Sequence, residues 1–265
     1  MTKRYALGLE YDGSRFLGWQ TQPGGGTAQD ALETALAGIA DSPIGVTCAG
    51  RTDRGVHARA QVVHFDTAAE RPASAWVRGV NALLPEAMAV LWAMPVSRDF
   101  HARYAARSRT YRYVLLNRPV RPALAAHYAG WHHAPLDVEP MREAAAHLLG
   151  EHDFSAFRAA QCQAKSPVRT LRELRIERRG ERIDFVLRAN AWLQHMVRNI
   201  VGLLVYVGNG RQPPQWSKTV LESRDRKLSA PTFASEGLYL ESVEYEVRWE
   251  LPAAGAAPLA LPLES

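Results

Sequence analysis

The feature that most constrains the fold of this 265-residue chain is the order in which its hydrophobic patterns occur. Alternation of apolar and polar residues indicates a strand, and apolar residues spaced three and four apart indicate a helix. The first half of the sequence presents these patterns in the order β-α-β-β-α-β, and the second half repeats that order with one short helix inserted. This is the element order of a ferredoxin-like unit, so the chain is predicted to be an α+β protein built from two such halves.

The patterns also give approximate bounds for each element. In the first half they predict strands at 5–11, 44–49, 59–66 and 88–96, a helix that starts at Thr27 and Asp30 with Leu32, Ala35, Leu36 and Ile39 on one face, and a helix at 73–84. In the second half they predict strands at 108–116, 170–178, 182–189 and 237–246, and helices at 137–149, along Leu193, Val197, Ile200 and Leu204, and at 214–223. The expected domains are therefore 1–106 and 107–250, with a Pro/Ala-rich tail, 251–265, that is extended or loosely held. If the halves pack side by side, a cleft between them is the natural place for a substrate.

Composition narrows the class of protein. The chain is 47% hydrophobic and 22% charged, values typical of a soluble globular protein, and no apolar run approaches the length of a membrane span. Its amino terminus turns acidic and glycine-rich before the apolar core of a signal peptide forms. Cys48 and Cys162 are too few for a disulfide framework or a zinc site, and the pair His132 and His133 lacks supporting metal ligands. A cytoplasmic protein with no metal and no membrane partner is expected.

Positive charge is concentrated in residues 101–121. The chain carries a net charge of +5 with a pI of about 9.4, and this segment contains six arginines, three tyrosines and no carboxylate. Guanidinium groups bind phosphates bidentately and tyrosine rings stack on bases, so this mixture favours binding to nucleic acid. A solvated strand face in an arginine-rich protein is the alternative explanation of the same pattern.

A single carboxylate stands between two arginines in the connection between the predicted strands 44–49 and 59–66. The stretch is Arg51-Thr52-Asp53-Arg54, and Gly-Val-His follows it. An aspartate alone is enough for an Asx-turn or a helix cap, and a surface salt bridge needs only one arginine. Two flanking guanidinium groups favour the ionised form of a carboxylate and hold its oxygens in place, so the pattern is compatible with a chemical role for Asp53 as well as with a turn or a cap.

Six segments of the chain resemble the tRNA pseudouridine synthase A family. AGRTDRGVHA, residues 49–58, closely resembles the catalytic signature of that family, Gly-Arg-Thr-Asp followed by Gly-Val-His. Arg54 stands where many relatives carry a small residue. The resemblance covers about residues 5–245, and six ordered blocks are far more specific than one short motif. The other five blocks are YDGSRFLGWQ (11–20), DFHARYAARSRTYRY (99–113), HDFSAFRAAQCQ (152–163), HMVRNIVG (195–202) and EGLYL (236–240).

The resemblance implies an enzyme that isomerises uridine to pseudouridine at positions 38, 39 and 40 in the anticodon stem-loop of tRNA. Enzymes of this family act as homodimers without a cofactor, and their two related α/β halves share an extended, mostly antiparallel sheet. Asp53 then corresponds to the catalytic aspartate. Beside C1′ of the ribose its carboxylate has three possible roles: it forms a covalent ester, removes a ribose proton, or shields developing positive charge.

The resemblance also implies the residues that contact the substrate. Tyr111 matches the active-site tyrosine, whose ring would stack on the uracil, and Leu238 would supply an apolar wall to the uracil pocket. From the pattern alone, both would be ordinary core residues. Arg51 and Arg198 would pair with the catalytic carboxylate or bind a nearby phosphate, although Arg198 would otherwise be a solvent-facing arginine on its helix.

Further arginines and one loop are candidates for contact with the RNA backbone. Such contacts recognise the shape of RNA more than the identity of its bases, which suits an enzyme that acts at neighbouring positions. Arg198 is expected on the helix face that it shares with Gln194 and His195, opposite the apolar stripe. The candidates for RNA binding are Arg103, Arg107, Arg109 and Arg112, with the loop at 157–165.

Two other classes of protein fit parts of the sequence. A non-catalytic RNA-binding protein would also use ferredoxin-like units, but binding alone gains nothing from a carboxylate that faces phosphate. A glycoside hydrolase would also place a carboxylate near C1′, but it normally requires a second acid at a set distance. The segments that resemble the synthase family offer no such second acid.

Overall fold

The structure is a computed structural model, and it describes residues 2–252. Most of the predicted tail, residues 253–265, lies outside the described part of the chain. No helix among residues 2–252 combines the length and the apolar character needed to cross a bilayer. The strands of this part are β1 Lys3–Tyr11, β2 Thr47–Cys48, β3 His57–Thr67, β4 Met88–Val96, β5 Ala106–Asn117, β6 Gly130–His132, β7 Gly150–Asp153, β8 Val168–Arg179, β9 Arg182–Ala189 and β10 Leu238–Tyr245. Its α-helices are α1 Ala28–Ala40, α2 Val80–Leu83, α3 Val138–Ala146, α4 Met196–Gly208 and α5 Trp216–Ser223, and a π-helical segment, Ala75–Gly79, leads into α2.

The described chain forms two compact units, and the first contains residues 2–107 and 239–252. Its strands lie in the order β4-β1-β3-β2, with antiparallel pairing throughout, which is the arrangement of a ferredoxin-like unit. Strand β10 joins the other end of β3 in parallel, where Tyr239 is opposite His57 and Leu240 is opposite Ala58. Residues 239–250, which the sequence prediction assigned to the second half, therefore pack with the first unit.

The second unit contains residues 108–238. Strands β5, β9, β8 and β7 pair antiparallel in that order, and β6 pairs in parallel with β5. Helix α4 is buried along most of its length. Its residue Gly202 lies so close to the segment after α5 that a β-carbon there would be 2.3 Å from the carbonyl oxygen of Pro231, so a larger residue would push the two segments apart.

The predicted α+β class with mostly antiparallel strands is confirmed. The bounds predicted at 88–96 and 182–189 coincide with β4 and β9, and α1 begins at the predicted capping box of Thr27 and Asp30. The strand predicted at 44–49 is much shorter, since only Thr47–Cys48 is a strand. Just before it, the backbone N–H of Val46 donates to Glu33 Oε1 of α1 at 2.8 Å. The short strands β6 and β7 were not predicted.

Candidate active site

Asp53 lies in the loop between β2 and β3. Arg54 and Gly55 form the centre of a β-turn, which is closed by a hydrogen bond of 3.1 Å from the N–H of Val56 to the carbonyl of Asp53. Gly55 has a φ of 81°, which the third position of a type II turn requires and which glycine adopts without strain. Asp53 is half-buried, whereas Arg51 and Arg54 are exposed. The turn thus sets the carboxylate at the start of a tight bend, partly shielded from solvent.

Two buried polar side chains fix the loop on either side of Arg51. The hydroxyl groups of Thr52 and Tyr11 lie 2.8 Å apart, which ties the loop to β1. The amide of Gln61 in β3 donates to the carbonyl of Gly50 at 2.6 Å and accepts from the N–H of the same residue at 3.3 Å. Sequence analysis missed both partners. A glutamine flanked by the apolar Ala60 and Val62 was the available signal, since a buried amide requires hydrogen-bond partners.

Backbone hydrogen bonds connect the loop to the start of α1. The carbonyl of Thr52 accepts from the N–H of Trp19 at 2.9 Å. The carbonyls of Gly18 and Trp19 in turn accept from Ala28 and Gln29, each at 3.0 Å. These two N–H groups belong to the first turn of α1 and have no partner within the helix. The Asp53 loop is therefore bonded to the first turn of α1 through Gly18 and Trp19.

The far end of the loop is closed by a glycine and a buried histidine. Gly13 accepts from the N–H of Gly55 at 3.3 Å and donates its own N–H to His57 Nδ1 at 3.1 Å. A β-carbon on Gly13 would lie 2.0 Å from the carbonyl oxygen of Val56, so only glycine fits. The ring of His57 stacks on Tyr239 of β10 with centroids 4.7 Å apart. The Gly-Val-His part of the motif thus anchors the loop.

Tyr111 and Leu238, predicted to contact the uracil, are both buried residues of the second unit. Tyr111 of β5 pairs with Leu187 of β9. Its ring packs edge-to-face against that of Trp192, with the ring centroids 5.7 Å apart. The indole N–H of Trp192 donates to the carbonyl of Arg109 at 3.1 Å, which fixes the orientation of that partner ring. The contact of Tyr111 and Leu238 with a base remains a prediction.

Arg198 lies in the first turn of α4. Its Nε donates to the carbonyl of Phe233 at 2.8 Å, and the N–H of Phe233 donates back to the carbonyl of Arg198 at 3.2 Å. The expectation that Gln194 and His195 share its helix face is wrong, because α4 begins only at Met196 and His195 has a left-handed φ of 64°. Leu193 also precedes the helix.

Four of the predicted site residues belong to the first unit, namely Asp53, Arg51, Arg103 and Arg107. The other five belong to the second unit, namely Tyr111, Arg198, Leu238, Arg109 and Arg112. Among residues 2–252, no group of three or more histidine, cysteine, aspartate or glutamate side chains is placed to hold a metal ion.

Two of the four arginines predicted to bind RNA are exposed. The guanidinium group of Arg103 lies 5.7 Å from the centroid of the Tyr104 ring. Arg107 pairs with Glu246, and more than half of its side chain remains accessible. Both cations are therefore presented to solvent, where phosphates can reach them.

The other two arginines have partners within the second unit. Arg109 is only 7% exposed and donates to the carbonyl of Asn190 at 3.0 Å. Arg112 Nη1 lies 3.5 Å from the buried carboxylate of Asp184, which also accepts from Arg182 Nη2 at 2.9 Å. These contacts hold both side chains to β9 and its flank.

Comparisons with known proteins identify relatives of the whole chain. A family model described as tRNA pseudouridine synthase matches residues 9–105 and 144–246. The tRNA pseudouridine synthase A of Dechloromonas aromatica is 58% identical over 249 residues, which cover 94% of this chain and 95% of that protein. The protein of the same name from Bordetella petrii is 60% identical over 250 residues, with coverage of 94% and 93%. A solved structure of an unknown protein from Galdieria sulphuraria, 12% identical over 76% of this chain and 88% of that one, has a TM-score of 0.21 and carries no argument.

These matches define the class of protein as a pseudouridine synthase, an enzyme of the isomerase class. The chain belongs to the tRNA pseudouridine synthase family. The matched ranges include the Asp53 loop, Arg198 and Leu238, whereas Tyr111 falls between them.

Proposed function

We propose that this protein isomerises uridine to pseudouridine at positions 38, 39 and 40 in the anticodon stem-loop of tRNA, with Asp53 as the catalytic group and without a cofactor. We place it in the cytoplasm as a homodimer. The observation that carries the proposal is the Asp53 loop of a chain in this family: a half-buried carboxylate on a turn fixed by buried polar contacts. The resemblance of the loop to the family signature supports the anticodon stem-loop as the target.

The reaction rearranges one nucleotide without adding or removing atoms. The bond from N1 to C1′ breaks, the uracil leaves as an anion and turns, and C5 then joins C1′. The proton on C5 departs, and N1 gains a proton. An ionised carboxylate beside C1′ serves each of the three possible roles of Asp53, because the ribose becomes electron-poor when the base leaves. A loop fixed before the substrate binds lowers the entropic cost of holding the carboxylate at C1′.

The other predicted site residues act on the base and its surroundings. The ring of Tyr111 stacks on the uracil, and its hydroxyl assists removal of the proton from C5. Leu238 forms an apolar wall of the pocket. Arg51 and Arg198 hold the catalytic carboxylate or a nearby phosphate, where a guanidinium group binds two oxygens at once.

The target base must leave its stack before it reaches Asp53. Extrusion of a base costs about a few kcal/mol, and contacts with the RNA backbone offset that cost. Arg103 and Arg107 are exposed and supply positive charge for such contacts. For Arg109 and Arg112, contact with RNA remains a separate prediction, since both have partners within the second unit.

The test is Asp53→Asn, with Asp41→Asn as the matched control. Asp41 is an exposed aspartate of the same unit in a left-handed conformation, which asparagine also adopts. We expect Asp53→Asn to lower turnover by about 10²- to 10⁴-fold or more, while tRNA affinity stays within about threefold of wild type. Turnover is measured as tritium released from tRNA that carries [5-³H]uridine, because the C5 hydrogen leaves during the reaction.

The outcomes separate the proposal from its alternatives. Turnover of Asp53→Asn near that of wild type would refute the catalytic assignment. Wild-type protein that binds tRNA but releases no tritium would be a non-catalytic RNA-binding protein. Release of free uracil would indicate a glycoside hydrolase. Mapping of pseudouridine in tRNA from cells that lack the protein tests the three positions directly.

A further inference from the structure

Residues 101–105 form a single helical turn that His101 caps. The carbonyl of His101 accepts from the N–H of Ala105 at 2.9 Å. Its Nδ1 accepts from the N–H groups of Arg103 and Tyr104 at 3.2 and 3.3 Å. This is the bonding of a helix N-cap, with an imidazole in place of the usual hydroxyl or carboxylate. Because Nδ1 accepts both bonds, the proton of the neutral ring lies on Nε2.

Further contacts within the first unit anchor the base of this turn. Ala102 donates its N–H to Nδ1 of the buried His64 at 3.1 Å and accepts from the hydroxyl of Tyr245 at 2.6 Å. Phe100 is fully buried, and its carbonyl accepts from Arg4 Nη1 at 2.9 Å. The backbone at Phe100 and Ala102 is therefore bonded to strands β1, β3 and β10, which fixes the base of the turn.

The turn presents an aromatic ring to solvent. Tyr104 is 77% exposed, so it contributes little to the core. The centroid of the His101 ring lies 4.2 Å from that of the Tyr104 ring. The guanidinium group of Arg103 lies 5.7 Å from the centroid of the Tyr104 ring. No other large apolar side chain between residues 92 and 119 of the described chain is exposed to this degree. The turn thus offers an exposed aromatic ring beside a cation.

We propose that Tyr104 is a stacking site for an unpaired nucleobase of tRNA and that Arg103 binds the phosphate beside that base. The identity of the RNA rests on the proposed function. Aromatic rings stack on any base, and a neighbouring arginine adds a charged contact with the backbone, so the site holds RNA without selecting its sequence. His64 and His101 are positioning residues, because they fix the turn before RNA arrives and so reduce the entropy lost on binding.

The test compares tRNA affinities of Tyr104→Ala and Tyr104→Phe by filter binding. The probe is an unmodified tRNA transcript with cytidine in place of every uridine at positions 38–40, so that turnover at the proposed positions does not affect the measurement. We expect Tyr104→Ala to weaken binding by about 5- to 100-fold, because stacking on one aromatic ring is lost. Tyr104→Phe keeps the ring and is expected to bind within about twofold of wild type.

Salt dependence separates stacking from charge. Tyr104→Ala removes no charge, so the slope of log Kd against log salt concentration should equal that of wild type. Arg103→Gln should reduce the slope by about 0.7 to 0.9. Arg211→Gln is the matched control, since Arg211 is an exposed arginine that lies 5.2 Å from the ring of Tyr206, itself stacked on Trp216. In a protein that carries Arg211→Gln, Tyr104→Ala and Tyr104→Phe should change tRNA affinity by the same factors as they do in the wild-type background.

Wild-type affinity of Tyr104→Ala would overturn the proposal, as would equal losses in Tyr104→Ala and Tyr104→Phe. A change in the sedimentation of Tyr104→Ala without RNA would also overturn it, because the ring would then contact protein. Failure of the proposed positions is a separate result, since pseudouridine mapping would detect it while the effect on affinity persists.

Discussion

The arginine-rich segment 101–121 has two parts that use the same residue type in opposite ways. Before β5 and at its first residues, Arg103 and Arg107 are exposed, and Arg103 stands on a turn held by two histidines. Within the strand, Arg109 and Arg112 face partners in the second unit, namely Asn190 and Asp184. The outer part presents charge to solvent, whereas the inner part satisfies buried acceptors.

This difference between the two parts shows that a run of arginines does not by itself define a binding surface. In a strand, side chains alternate between faces and meet the side chains of the paired strand. Arg112 lies on β5, and its acidic partner lies on the neighbouring β9, 72 positions further along the chain by residue number. The turn at residues 101–105 instead leaves the side chain of Arg103 exposed to solvent.

The largest expected effect is a loss of stability on substitution of Asp184, the acidic partner of Arg112 in the inner part. This carboxylate is buried between Arg112 and Arg182, so Asp184→Ala leaves two cations without their shared acceptor. We expect a loss of about 3 kcal/mol in the free energy of unfolding, measured by urea denaturation. Arg112→Ala should cost clearly less, because Arg182 keeps its contact with the acid. Equal losses in the two variants would contradict this division of roles, and Glu181→Ala, at an exposed ion pair, serves as the control.

Low pH is expected to destabilise the turn that carries Arg103, because His64 accepts a hydrogen bond from the N–H of Ala102 in that turn. Burial, followed by the positive charges of Arg4 and His101, lowers the pKa of His64 from 6.5 to about 4. The unfolded chain therefore takes up the proton first as the pH falls. The stability that neutral His64 provides is complete above pH 6.5 and is lost as the pH approaches 4, by about 2–3 kcal/mol. Urea denaturation across this range should show the loss in wild type and a flatter dependence in His64→Asn; parallel curves for the two proteins would rule out His64 as the cause.

The smallest change in stability is expected at Arg103. Arg103→Ala should alter the free energy of unfolding by less than about 0.5 kcal/mol, because its side chain is exposed. It should nevertheless reduce the salt slope of tRNA binding by about 0.7 to 0.9, through loss of one phosphate contact. Arg109→Ala should instead lower the stability, because its guanidinium group is buried and donates to the carbonyl of Asn190. A slope that falls equally in Arg109→Ala would show that Arg109 reaches phosphate as well, and the contrast between the two parts would fail.

Local patterns were enough to predict most of the elements, because local interactions create them. The capping box of Thr27 and Asp30 and the alternation in 182–189 both operate within a few residues, and both predictions are confirmed. Strand β6 depends instead on parallel pairing of Gly130 with Leu115, and the sequence contains no local sign of that partner. Strand β2 is shorter than predicted, and the N–H of Val46 just before it donates to Glu33 of α1, a partner that the local pattern does not reveal.

The candidate site shows the same limit. The motif and its family resemblance identified Asp53, but its supports, Tyr11 and Gln61, lie on two different strands and meet the loop only in the fold. Exposure could not be predicted either, since Arg103 and Arg109 have similar neighbours in the sequence and differ in what the sheet places beside them. The predicted roles in catalysis and RNA binding remain to be tested by the substitutions above.

The parallel pairing of β10 with β3 has a consequence for biosynthesis. The strand that completes the sheet beside His57 is translated some 170 codons after the strand it joins, as the residue numbers of β3 and β10 show. The other strands of the unit that carries Asp53 are therefore translated well before β10. The Asp53 loop acquires its full support only after β10 has been translated, so a product of interrupted synthesis that lacks β10 would lack a fully assembled first unit.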